Sequence, residues 1–182
     1  EVMGIDLVEW MIRGGAGDFG FLDAEPPRPQ GHSVQVRLYA EDPTLDYRPT
    51  SGTLTAVEFP DTIRAETWVM AGSTVSIWYD PMLAKLIGYG KDREEAIERL
   101  VRAIDDYKIV GVKNTLAFGK FVLRHPDFVS GKFDTNFVGK NFKPEYLKAE
   151  DEDEMEIVAL VARLIYERKY NKQLVKNFFS SN

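Results

Sequence analysis

The sequence predicts an α+β fold: an antiparallel sheet meander packed with helices, followed by a C-terminal helical extension. Three observations lead there. Apolar residues alternate with a period of two from Gly31 onward, in short runs that recur to about residue 89. A helical period replaces this from residue 93 to 124. The short spacing of the turn signals between the strand-like runs favours an antiparallel meander over helical crossovers, and strands followed by helices make an α+β unit.

Taken in order, residues 4–13 (GIDLVEWMIR) put Ile5, Val8, Trp10, Met11 and Ile12 close to helical spacing, with Asp6 at the start and glycines after Arg13 to end the helix. Residues 18–30 hold Pro26, Pro27 and Pro29 and read as a connector. In 32–40 (HSVQVRLYA), Val34, Val36 and Leu38 fall on one face and Ser33, Gln35, Arg37 and Tyr39 on the other. Further strands are predicted over 53–59, 64–70, 73–78 and 83–89, separated by turns at 49–52, 60–61, 71–72 and 80–81. Asp92 and Glu95 form a capping-box pair ahead of a helix from Arg93 to about Lys108, with Ala96, Ile97, Leu100, Val101, Ile104 and Tyr107 as its apolar stripe. Asn114 or Thr115 caps a second helix that ends at His125-Pro126. An acidic run over 149–156 places negative charge where a helix dipole favours it, ahead of a helix over about 152–170 with Ile157, Leu160, Val161, Leu164 and Ile165 on one side. A shorter segment, KQLVKNFF, follows. The expected divisions are 1–30, 31–147 and 148–182.

Composition narrows the function classes. A net charge of −6 and pI near 5.1 argue against a nucleic-acid groove, which needs clustered basic surface. No apolar run approaches the ~20 residues of a membrane helix. With no cysteine, thiolate catalysis and Cys-based metal sites are excluded, and His32 and His125 are too distant in sequence to suggest a histidine metal site. No metal site is expected in this segment, and cytoplasmic residence is the expectation.

Three segments in order carry a family likeness. They are GHSVQVRLYAEDP (31–43) with PTSG (49–52); YDPMLAKLI (79–87) with GKDREEAIERL (90–100); and GVKNT (111–115) with HPDF (125–128) and FDTNF (133–137). This succession resembles the C-terminal domain of biotin carboxylases, the components that begin catalysis in acetyl-CoA, propionyl-CoA, pyruvate and urea carboxylases. The resemblance implies an ATP- and bicarbonate-dependent ligase that carboxylates biotin held on a separate carrier protein, with Mg²⁺ or Mn²⁺ alongside ATP. It implies that the ATP-grasp region precedes this segment, that residues 1–30 are its end, and that Glu1 matches the last residue of the family's RxQVEHPVTE-like strand. By itself this chain is then expected to be inactive. The implied partners are that N-terminal region, a biotin carboxyl carrier protein, a carboxyltransferase subunit and a second copy of the subunit; nucleic acid and membrane are not among them. An acetyl- or propionyl-CoA acceptor, and so fatty acid synthesis, is the preferred expectation, with pyruvate and urea as alternatives.

The resemblance also names residues. Arg37 matches the family arginine that contacts bicarbonate and the ureido oxygen of biotin. The chemistry is sound on its own terms, since an always-charged, fork-shaped donor suits negative charge arising on a ring oxygen; the competing reading is a strand-face arginine in a surface ion pair. Asp80 either orients arginines on the biotin side or makes an Asp-Pro turn. Asn136 and Phe137 match a segment on the ATP side, where Phe137 either meets the base or packs in the core. Arg64 matches an interface arginine of bacterial homodimers, although Asp61 stands where that interface has an aromatic ring. Gln35 replaces the family's usual Glu. Glu41 and Asp42 are expected to shape the turn after the strand, and the 148–182 extension to dock the holoenzyme or pack on its own domain. Two further readings compete: a non-catalytic contact module with the same fold, which would not need Arg37, and a different ATP-grasp ligase, which the RLYAEDP and YDPMLAKLI segments oppose.

Overall fold

The longest strand, β8 (Met82–Gly90), is the middle of a three-stranded sheet and organises the rest of the chain. The structure is a computed structural model and describes residues 1–147 and 157–169. β1 (His32–Tyr39) and β6 (Arg64–Thr67) flank β8, both antiparallel to it. The remaining strands form two-stranded ribbons: β2 (Glu41–Asp42) with β3 (Arg48–Pro49), β4 (Gly52–Thr53) with β7 (Thr74–Val75), and β5 (Ala56–Glu58) with β9 (Lys108–Val110). The α+β class and the antiparallel pairing are as expected. The neighbours, however, are not sequential as in a simple meander, because β2 to β5 leave the sheet and find partners elsewhere.

Helix α2 (Arg93–Asp106) covers one face of this sheet. Asp92 Oδ1 accepts the Glu95 amide at 2.9 Å, and Glu95 Oε2 accepts the Lys91 amide at 2.9 Å, so the expected capping pair closes one residue further upstream than the standard box. Ala96, Ile97, Leu100, Val101 and Ile104 are buried beneath it against Val34, Leu38, Leu83, Ala84 and Leu86. Two glycines permit this close approach: a Cβ on Gly88 would lie 2.7 Å from the Ala96 carbonyl oxygen, and one on Gly90 2.5 Å from the Ala96 amide. The helix stops at Asp106 rather than Lys108. Tyr107 turns to φ −74, ψ 136 and buries its ring edge-on against Phe59 at 4.9 Å, and the chain continues as β9. The predicted helix end is thus a strand, which its three residues are too short to announce.

The other helices follow their caps. α1 (Leu7–Gly15) starts on Asp6, whose Oδ1 accepts the Val8 and Glu9 amides, and runs two residues past Arg13, through Gly14 and Gly15; none of its residues is buried. α3 (Leu116–Arg124) has Thr115 at its N-cap position, while Asn114, one residue earlier, supplies the side-chain bond at its start: its Oδ1 accepts the Leu116 amide at 3.0 Å. A short α4 (Pro126–Ser130) follows directly, His125 Nδ1 accepting the Asp127 amide.

Contacts divide the chain into two compact units, Glu1–Thr135 and Asn136–Asn182. In the second, α5 (Phe137–Asn141) buries Phe137, and residues 157–169 are helical with Ile157, Leu160, Val161, Leu164 and Ile165 all exposed. The expected acidic helix start and the KQLVKNFF segment lie outside the described residues. Among the described residues no helix is long and apolar enough to cross a membrane.

Candidate functional site

The sheet face opposite α2 is open, and the alternation of β1 decides what it shows. Val34, Val36 and Leu38 point under the helix, while Ser33, Gln35 and Arg37 are exposed, as the period of two predicted. Directly opposed residues of antiparallel strands share a face. Arg37 therefore stands in one row with Lys85 and Glu66, and Gln35 in the next with Ile87 and Arg64.

A β-bulge alters this pattern at one end. Leu38 pairs with Ala84 but Tyr39 pairs with Met82, so Leu83 is an extra residue on β8. Leu83 and Ala84 both turn inward and are buried, and Met82 is re-aimed to the face of Arg37 and Tyr39. Side chains satisfy the bulge: the Thr67 hydroxyl donates to the Leu83 carbonyl at 2.9 Å and the Trp68 indole N–H to the Met82 carbonyl at 2.8 Å.

Among the described residues Arg37 meets no carboxylate. Its Nη2 donates to Sδ of Met82 at 3.4 Å and its guanidinium carbon lies 5.2 Å from the centroid of the Tyr39 ring. Among the described residues no ion pair includes it; Glu66, the acid in its row, is bound by Arg64 Nε at 2.6 Å. The surface-ion-pair reading of Arg37 therefore has no support in the geometry.

Asp80 takes the turn role: its Oδ1 accepts the Met82 amide at 2.8 Å, and it forms no ion pair with an arginine among the described residues. It neighbours Glu41 instead. Burial pushes the Glu41 carboxyl above its ordinary range, and the Asp80 charge adds to that. Asp42 shapes the following turn, accepting the Thr44 amide at 2.9 Å and hydroxyl at 2.6 Å; burial opposes its charge, but these bonds together with the Lys113 and Arg48 charges hold the carboxyl below the usual range. Arg64 is exposed and pairs with Glu1 Oε1 at 2.7 Å as well as with Glu66. That pairing pulls the Glu1 carboxyl down and the Arg64 guanidinium up. Phe137 is buried, and Asn136 lies exposed at the start of α5. Among the described residues no three His, Cys, Asp or Glu side chains gather as metal ligands.

The sequence brought forward Arg37 and Asp80 but not what joins them. Both converge on Met82, one at its sulfur and one at its amide. Met82 lies inside the YDPMLAKLI segment, yet its orientation depends on a bulge that no period reveals. Thr115, the alternative to Asn114 as helix cap, stands at the N-cap position of α3 but makes no side-chain cap bond. It is buried, and its hydroxyl instead accepts the Tyr39 amide at 3.0 Å, tying α3 to the end of β1.

Comparison with known proteins agrees with this architecture. The family model for the biotin carboxylase C-terminal domain matches residues 35–140. The urea amidolyase of Saccharomyces cerevisiae is 42% identical over 137 residues, 75% of this chain and 8% of that protein. The biotin carboxylase of Halalkalibacterium halodurans is 41% identical over 146 residues, 79% of this chain and 32% of that protein. Among solved structures, the Kluyveromyces lactis urea carboxylase superposes with a TM-score of 0.74 at 40% identity, covering 78% of this chain and 12% of that one. The biotin carboxylase domain of Hydrogenobacter thermophilus 2-oxoglutarate carboxylase, solved with MgADP, ADP and bicarbonate, gives 0.72 at 33% identity over 76% of this chain and 31% of that one. The chain belongs to the biotin carboxylase C-terminal domain family. It spans a third or less of the length of each of these relatives.

Proposed function

We propose that this chain is the C-terminal part of a biotin carboxylase, the component that uses ATP and bicarbonate to carboxylate biotin on a carrier protein. One observation carries the reading: Arg37 presents a guanidinium on the open face of the sheet, exposed and, among the described residues, uncancelled by any carboxylate. A permanent positive charge left unpaired at a fixed position is suited to a ligand whose own negative charge completes it. Bound biotin would supply the ureido group that accepts the carboxyl, and Arg37 would hold its oxygen and steady the charge there. Asp80 serves this indirectly, by fixing the turn that begins β8. In this reading Mg²⁺ and ATP are held by an ATP-grasp region of the same protein, as the family likeness implies, and this chain alone is expected to show no bicarbonate-dependent ATPase.

For the acceptor, the proposed reading is an acyl-CoA such as acetyl- or propionyl-CoA. It is supported by methylcrotonoyl-CoA carboxylase subunits at 39% identity from Dictyostelium discoideum and 37% from mouse. Urea is the second reading, favoured by the urea amidolyase and urea carboxylase matches. Carboxyltransferase and carrier partners go with either. Cytoplasmic residence is likewise proposed and is checked by cell fractionation.

The test is Arg37→Ala in the intact carboxylase subunit, assayed with free biotin. Loss of one charge-stabilising donor is expected to cost about 10²–10³ in turnover, roughly 3–4 kcal/mol, with ATP binding retained. Wild-type turnover would end this reading. Comparing acetyl-CoA, propionyl-CoA and urea as acceptors in the holoenzyme separates the acceptor readings.

A further inference from the structure

We propose that Met82 is a positioning residue for Arg37: its thioether is the uncharged acceptor that aims the guanidinium without neutralising it. The proposal deepens the functional reading above and rests on it. Four observations converge. The bulge at Leu83 turns Met82 out of the core and onto the face of Arg37. The Met82 backbone is then pinned from both sides, its amide by the Asp80 carboxylate at 2.8 Å and its carbonyl by the Trp68 indole at 2.8 Å. Its sulfur receives Nη2 of Arg37 at 3.4 Å. Finally, Tyr39 offers its ring to the same guanidinium at 5.2 Å.

The chemistry explains why these groups suit the task. An exposed arginine samples many rotamers, and ordering it costs side-chain entropy. A carboxylate would orient it strongly, but it would also cancel the charge that a bound anion needs. A thioether is a weak acceptor and an aromatic face a weak cation site. Together they bias the direction of the fork while leaving its remaining N–H donors and its full charge to the open side. Gln35, one row along on the same face, is also neutral. The acids nearby are committed elsewhere, Asp80 to the Met82 amide and Glu66 to Arg64.

Two substitutions in the intact subunit separate aiming from packing. Met82→Leu conserves volume and removes the acceptor; Met82→Gln keeps a side chain of similar reach and restores an acceptor in the carbonyl oxygen. If Met82 aims Arg37, Leu lowers kcat/KM for free biotin by about tenfold, as a misdirected binding group does, with the KM for ATP unchanged, and Gln recovers most of that loss. If Met82 only fills space, Leu performs at least as well as Gln, and the proposal is overturned. A second readout does not depend on activity: the Nε–H NMR signal of Arg37, assigned by its disappearance in Arg37→Ala. It is expected to report an ordered side chain in the wild type and in Met82→Gln, and an averaged one in Met82→Leu. Equal order in all three overturns the positioning role. Wild-type turnover in Arg37→Ala overturns the functional reading, and the NMR comparison then still decides whether Met82 orders Arg37.

Discussion

The sheet face beneath α2 and the face that carries Arg37 are made by the same three strands, one residue out of phase. Beneath the helix, Val34, Leu38, Leu83, Ala84 and Leu86 interlock with Ala96, Leu100 and Ile104, and glycines at 88 and 90 bring the two layers into contact. On the open face, Gln35, Arg37 and Arg64 project from strand positions that the packing of α2 does not constrain. The difference teaches where each kind of constraint lies. The closed face specifies shape, so its residues are exchangeable only by volume. The open face specifies charge and direction, so its residues should be nearly free of stability cost when replaced.

That contrast breaks first at Leu100, which is fully buried at the centre of the helix–sheet layer. Leu100→Ala is expected to lower unfolding free energy by about 2–5 kcal/mol, because both the transfer energy and the cavity left behind count against it. Arg37→Ala, although it lowers turnover by about 10²–10³ in the proposed reading, should change the unfolding free energy by no more than about 0.5 kcal/mol. Should Arg37→Ala destabilise the domain as much as Leu100→Ala, the division between faces is wrong.

Thr115 sharpens the comparison, since it is buried yet serves the strand that carries the open face. Its hydroxyl accepts the Tyr39 amide, and its own amide donates to the Tyr39 carbonyl at 3.1 Å. Thr115→Val keeps the shape and leaves the Tyr39 N–H without this partner, which is expected to cost about 1–3 kcal/mol. Hydrogen exchange at Tyr39 checks the location of the loss: accelerated exchange there, with the amides of α2 less affected, marks a local defect at the end of β1. Uniform acceleration would show that Thr115 supports the fold as a whole.

How much of this was legible in the sequence follows the same division. Alternation in 32–39 announced both faces of β1, because a strand with one dry face must alternate. The α2 stripe and its Asp92 cap were legible for the parallel reason in a helix. The residues of the site were reachable only through the family likeness; no periodicity singles out Arg37. What stayed hidden was everything set by pairing between distant segments. The β1-β8-β6 order, the β5–β9 ribbon and the Leu83 bulge are decided by partners far away in the chain, and local propensity carries no information about them. The bulge is the costliest omission, since it brings Met82 beside Arg37. The helix over 157–169 was legible from its apolar spacing, but spacing could not tell whether that stripe is covered, and in the structure it is exposed.

The smallest expected effect lies at Glu41, in the β2–β3 ribbon just past the end of β1. Its carboxyl is half-buried and titrates above the ordinary range, chiefly through burial and secondarily through the Asp80 charge. A raised folded-state value means that the folded protein holds the proton more tightly than the unfolded chain. The corresponding stability is fully present below the unfolded value of about 4.3 and is lost as pH rises through the folded one. At neutral pH, ionised Glu41 is then a net cost, and Glu41→Gln should stabilise the domain by less than about 1 kcal/mol at pH 7 while giving no gain near pH 4. Urea melts of both proteins at pH 4, 5.5 and 7 check the slope. A gain of equal size at every pH would mean that the amide packs better for reasons unrelated to charge. A gain confined to neutral pH would mean that the chain keeps an unfavourable carboxylate beside Asp80, which fixes the Met82 turn.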